Sequence, residues 1–202
     1  MDALDHSGTF DPARQEVHLA RYRFAASHVA GMRVADIACG TGYGSHTLRE
    51  TGAQEVVGVD VSQEAIRYAR RKYQTASVVF HIADATQTLL PDHSFDAIVS
   101  FETIEHVLAA DRLLREFKRI IKPDGRLVIS SPNDWGLTQH HCHTWSPLEF
   151  VSILSKHFTP VNVYWQSEPR HGGQCEILPW SNAYNPKRGN VLVLGRTMQC
   201  KT

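Results

Sequence analysis

Three groups of residues have types and spacings that could do chemistry. The first is Asp36-Ile37-Ala38-Cys39-Gly40-Thr41-Gly42-Tyr43-Gly44, where glycine recurs at every second position directly after an apolar run. A bend without side chains lets a ligand lie against the backbone. The second is a pair of acids that follow later apolar runs, Asp60 after Glu55 to Val59 and Asp84 before Ala85. Asp60 stands about twenty residues beyond Gly40, where a carboxylate accepts both hydroxyls of a ribose. The third is Glu102-Thr103-Ile104-Glu105-His106, at the end of the run Phe95 to Ser100.

The first two groups describe one ligand. The glycines run Gly-x-Gly-x-Gly rather than Gly-x-Gly-x-x-Gly, so the pyrophosphate fingerprint is not met. Asp36 precedes the turn, where an anion repels pyrophosphate and attracts an amino group. Asp84 can accept a hydrogen bond from an exocyclic adenine amine. A cationic amino acid at one end and adenosine at the other describe S-adenosylmethionine. Its expected site comprises Asp36, Ala38, Gly40, Gly42, Asp60, Val61, Asp84, Ala85 and Phe101, with Arg21 or Tyr22 reaching over it. Cys39 reads as a packing thiol, not a nucleophile.

The third group is placed to act on a methyl acceptor. If the segment is helical, Glu102, Glu105 and His106 fall at i, i+3 and i+4, on one face. Two carboxylates and an imidazole repel one another unless a proton or a cation sits among them. In one account His106 is a lone general base that removes the proton of a hydroxyl acceptor, and the glutamates, Glu105 among the catalytic residues, hydrogen-bond to cofactor or backbone. In the other the three hold a divalent cation (Mg, Mn or Co) that lowers the acceptor's pKa. A fourth ligand would then come from Gln139-His140-His141-Cys142-His143-Thr144-Trp145.

Alternating elements must position these groups. Apolar spacing predicts a covering helix over 13–30, and residues 1–30 form the N-terminal part of a single domain spanning 1–202. Strands are expected at 34–37, 55–60, 77–82, 95–100 and 126–130, with helices over 43–50, 62–71 and 112–121 between them. Lys122-Pro123-Asp124-Gly125 reads as a helix stop, and Ser146-Pro147-Leu148-Glu149 as a helix start. Strands at 161–165 and 191–195 complete an expected set of seven, the last two pairing as an antiparallel hairpin at one edge. This is a Rossmann-like α/β sheet with helices on both faces, and ligands bind beyond the carboxyl ends of its strands. Residues 166–190, with Trp180 and Tyr184, read as a long irregular loop.

The chain resembles the class I S-adenosylmethionine-dependent methyltransferases over nearly its whole length. Asp36 to Gly44, Asp60, Asp84-Ala85, Phe95 to Val99 and Leu114 through Ile129 look like their ordered motifs. The resemblance implies that Asp36 orients the methionine end, Asp60 holds the ribose and Asp84 the adenine. The Glu-x-x-Glu-His segment is similar to that of ubiquinone-biosynthesis O-methyltransferases and of small-RNA 2′-O-methyltransferases. By the latter likeness, the metal set is Glu102, Glu105, His106 and His141, since His141 stands four residues before Trp145.

The 202 residues carry 21 acidic and 21 basic side chains, a balance that weighs against a nucleic-acid surface. No stretch is apolar enough to span a bilayer, the N-terminus does not read as a signal peptide, and four unpaired-looking cysteines suit a cytoplasmic location. The expected activity is O-methylation of a small-molecule or sugar (glycan) hydroxyl. A metal-dependent 2′-O-methyltransferase acting on RNA ends is the second enzymatic reading. An NAD-dependent oxidoreductase and a catalytically inactive cofactor-binding or partner subunit are the readings from other classes.

Overall fold

The structure, a computed structural model, describes residues 12–133, 141–166, 176–181 and 189–198. The chain forms helix α1 (Pro12–Val29), strand β1 (Arg33–Ile37), α2 (Tyr43–Glu50), β2 (Glu55–Asp60), α3 (Gln63–Tyr73), β3 (Val78–Ile82) and β4 (Phe95–Ser100). A 3-10 turn (Ile104–His106), α4 (Ala110–Ile120), β5 (Ile121–Asn133), α5 (Pro147–Leu154), β6 (Phe158–Gln166), β7 (Ile177–Pro179) and β8 (Gly189–Thr197) follow. None of the described helices is long and apolar enough to cross a membrane.

All strands join one sheet in the order β3-β2-β1-β4-β5-β8-β6-β7. The pairs among β3, β2, β1, β4 and β5 are parallel, whereas β8 runs antiparallel to both β5 and β6. Strand order reverses between β1 and β4, and the crevice at such a switch point is where α/β sheets bind ligands. The glycine turn that follows β1 opens there.

Two faces bury separate cores. Ile37, Val59, Ile98 and Ile129 pack under α4 and α5 with Leu113, Phe117 and Phe150. Val34, Val56, Ala97 and Val128 pack under α1 and α2 with Ala25, Val29 and Leu48. Helix starts follow their local signals. Ser62 caps α3 by accepting the Ala65 N–H, and Ser146 with Glu149 closes a reciprocal capping box on α5.

The sheet departs from expectation in two places. It has eight strands, because Ile177–Pro179 inside the expected irregular loop pairs antiparallel with β6 and forms the edge. Three residues are too few to display an alternating pattern, so this strand exists only through its partner. The expected antiparallel hairpin forms, but β8 sits inboard between β5 and β6. Strand β5 also begins at Ile121, so Lys122 to Gly125 belong to it, opposite an irregularity in β4 between Phe95 and Ala97.

Candidate active site

The turn after β1 is built from backbone and from two acids that hold it. Ala38, Gly40 and Gly42 all have left-handed backbone, with φ of 64°, 54° and 82°. Alanine rarely adopts this conformation, and the N–H groups of Ala38 and Cys39 bind the Val59 carbonyl at 2.8 and 3.0 Å to hold it. Asp60 braces the other side. One of its oxygens accepts the Gly40 N–H and the other the Ser62 N–H, each at 2.8 Å. A carboxylate oxygen has lone pairs beyond one hydrogen bond, so both retain capacity for a ribose hydroxyl.

Asp36 ends β1 in full burial. Its Oδ2 accepts the Ser45 hydroxyl at 2.6 Å and its Oδ1 the Tyr22 hydroxyl at 3.2 Å. Burial raises its pKa to about 7 against the pull of these two donors. Burial, with Asp36 next, also keeps the Tyr22 phenol protonated and donating. Asp36 is thus a braced charge beneath the turn. Ser45 is a partner that sequence reasoning missed. Its one signal was a small polar residue in the first turn of α2.

Gly44 has a separate reason to be glycine. A Cβ there would come within 2.0 Å of the Tyr22 ring. Tyr22 also meets Phe101 edge-on at 5.1 Å, so α1 closes over the turn and over the end of β4. Beyond β2 and β3 the rim is open. Val61 is 72% exposed, Ala85 is half-buried, and exposed Asp84 accepts the Thr86 N–H at 2.7 Å. That bond holds the Asp84 pKa below its usual value. Cys39 is buried, and burial pushes its thiol pKa up, as suits a packing residue.

The Glu102 to His106 segment is not the single helical face expected. Glu102 has φ 52°, and only Ile104–His106 forms a 3-10 turn. The left-handed residue breaks the helical spacing between Glu102 and Glu105. Glu102 accepts the Ser130 hydroxyl at 2.7 Å and lies 3.3 Å from Arg21 Nη1. Burial pushes its pKa up, but Arg21, His18 and Ser130 outweigh this and hold it below the usual range. Arg21 in turn donates to Gln166 at 2.7 Å. Arg21 therefore serves an internal ion pair, and Glu102 stands outside the metal-ligand set that the motif implied.

Glu105, His106 and His141 do come together. One potential ligand atom from each lies within 4.8 Å of the others. Glu105 Oε1 is 3.7 Å from His106 Nε2, and the two imidazoles meet edge-on at 4.9 Å. Glu105 is 1% exposed, and the donors nearest its carboxyl, Ser131 and its own backbone, make no well-formed hydrogen bond to either oxygen. Burial, reinforced by the Glu102 charge, pushes the Glu105 pKa well up. The backbone brings His141 into place, since the Cys142 and His143 N–H groups both bind the Glu105 carbonyl. His143 is tied to the Val107 carbonyl and stacks on Trp145. Gln139, His140 and Tyr184 lie outside the described residues.

Known proteins share this fold. Residues 35–129 match the family model of a methyltransferase domain. A probable S-adenosylmethionine-dependent methyltransferase of Mycobacterium tuberculosis is 32% identical over 145 residues, 68% of this chain and 52% of that protein. Phosphoethanolamine N-methyltransferase 1 of Arabidopsis thaliana is 38% identical over 102 residues, 50% of this chain and 21% of that protein. This chain therefore spans between about a fifth and about half the length of these curated relatives. A Thermotoga maritima S-adenosylmethionine-dependent methyltransferase structure, described as a possible histamine N-methyltransferase, shares the fold with a TM-score of 0.75. It is 18% identical, and the likeness covers 92% of each chain. The chain carries a class I S-adenosylmethionine-dependent methyltransferase domain.

Proposed function

We propose that this protein transfers the methyl group of S-adenosylmethionine to a hydroxyl oxygen of a small molecule or glycan. The observation that carries the reading is the buried Glu105 beside His106 and His141, just past the end of β4. An amine acceptor at neutral pH needs less help losing a proton than a hydroxyl does, so a base cluster at this position favours oxygen.

In the reaction the acceptor oxygen forms a bond to the methyl carbon as the carbon–sulfur bond breaks in line. The electron pair of that bond stays on sulfur and leaves S-adenosylhomocysteine. His106 takes the hydroxyl proton, and the Glu105 carboxyl, 3.7 Å from its Nε2, orients the ring. The glycine turn and Asp60 fix the donor, so alignment supplies much of the rate.

The same three side chains fit a divalent cation. A buried carboxylate next to two imidazoles is a suitable oxygen and nitrogen donor set. Glu105, His106 and His141 would hold the ion, which would supply Lewis acidity toward the acceptor oxygen. Chelation is expected to abolish turnover, with Mg²⁺, Mn²⁺ or Co²⁺ restoring it. Calorimetry with Mn²⁺ should give saturable binding that Glu105→Gln removes. Undiminished activity in excess EDTA would refute the cation and leave His106 as a lone base. Under either account His106→Ala is expected to lower kcat at least tenfold, and about 10²–10⁴-fold is the usual worth of such a base.

A second reading is transfer to an amine, supported by the likeness to phosphoethanolamine N-methyltransferase. Labelled cofactor offered with phosphoethanolamine, with sugars and with RNA ends separates the two and tests the 2′-O reading as well. Label appearing on the amine alone, unaffected by His106→Ala, would overturn the hydroxyl reading.

A further inference from the structure

A cavity of about 220 Å³ opens at the far end of the sheet from the methyl-transfer rim. Its walls come from the residue before β1, the first residues of β4 and β5, and the last turn of antiparallel β8. Three cations face it, namely Lys122, Arg126 and Arg196. Two of them are directly opposed, because the β5–β8 register pairs Arg126 with Arg196. Directly opposed residues rise from the same face, and like charges so placed destabilise a sheet.

Two carboxylates, Asp96 and Asp124, share the cavity with the three cations. Lys122 is bound to Asp96 at 2.7 Å, and the second Asp96 oxygen takes the Arg33 N–H. Arg126 donates one N–H to the His28 carbonyl at 2.6 Å, which fixes its guanidinium and leaves its other donors over. Arg196 is exposed and makes no ion pair among the described residues. Asp124 also lines the cavity and already has a partner of its own. The positive field is felt nearby. The His28 pKa is lowered, by burial first and by Arg126 second.

We infer that this cavity is an oxyanion site for a phosphate-class group, free phosphate or the phosphoryl group of a small metabolite. Two planar guanidinium forks match phosphate oxygens in pairs, and the adjacent lysine adds charge without geometric demand. A bridging anion turns the Arg126–Arg196 repulsion into a shared attraction. The site is separate from the methyl-transfer centre, and the inference does not depend on which acceptor that centre takes.

The test is calorimetric titration of the full chain with inorganic phosphate and with glycerol phosphate, at ionic strength held constant by chloride. Saturable binding is expected for at least one, and the tighter of the two identifies the source. Arg196→Gln and Arg126→Gln should each weaken it at least tenfold. Arg196→Gln should keep wild-type affinity for S-adenosylhomocysteine, which reports an intact fold. Arg196→Lys, which keeps the charge and loses the fork, should bind phosphate at least threefold more weakly, and it carries the test if the glutamine variant does not fold. Phosphate acting no differently from chloride, or Arg196 variants titrating like the wild type, would overturn the site.

Discussion

Asp36 is an ionisable group held in the core by two hydroxyl donors, with a pKa of about 7. An exposed aspartate titrates near about 4, so between those values the folded chain holds a proton that the unfolded chain has lost. Through Asp36 the fold therefore loses stability as pH rises from about 4 to about 7, and the loss is constant above that. Urea unfolding should show the wild type falling relative to Asp36→Asn across this window. Ligand binding should run the other way. The α-ammonium at the ligand's amino-acid end draws the Asp36 pKa down, so S-adenosylhomocysteine affinity should rise from pH 6 to pH 8. A pH dependence identical in Asp36→Asn would remove Asp36 from cofactor binding. That an acid belongs before the turn was legible from its spacing. That it is braced by Ser45 and Tyr22, residues from two other elements, was not.

At the scale of elements, α1 and α2 meet through one contact that admits no extra atom. The Tyr22 ring lies where a side chain at residue 44 would start. Gly44→Ala should cost about 1–3 kcal/mol in chemical denaturation, since overpacking forces neighbours aside. It should also weaken cofactor binding by shifting α1 off the turn. An unchanged midpoint would mean that α1 docks less tightly than the geometry requires. The sequence pointed to the third glycine without its cause. It also led to a helical face for Glu102, Glu105 and His106. Helical spacing presumes helical dihedrals, and one left-handed residue at Glu102 was enough to break the face and give Glu102 to Arg21 and Ser130. Strand β7 escaped for a related reason, because a three-residue strand is defined by its neighbour and not by its own pattern.

Across the whole molecule, the N-terminal helix is tied to the last part of the sheet. Arg21 links Glu102, at the end of β4, to Gln166, at the end of β6 and 145 residues away. Arg21→Met should destabilise the fold by about 3 kcal/mol, the cost of leaving a largely buried carboxylate without its partner. Adding Glu102→Gln should recover part of that loss. A double variant no more stable than the single would show that Arg21 acts through packing alone.

The chain's own order of residues determined the parallel α/β architecture, the glycine turn and the acids at the ends of β1, β2 and β3. Each of these is a local signal, a period or a spacing within one element and its loop. Tertiary structure alone decided which polar groups meet. It gave Glu102 to Arg21, buried Glu105 beside His106, and carried His141 across 35 residues of chain to His106. The physical reason is that side chains in such a site are selected by distance and burial in the folded state, and neither quantity is a function of sequence separation.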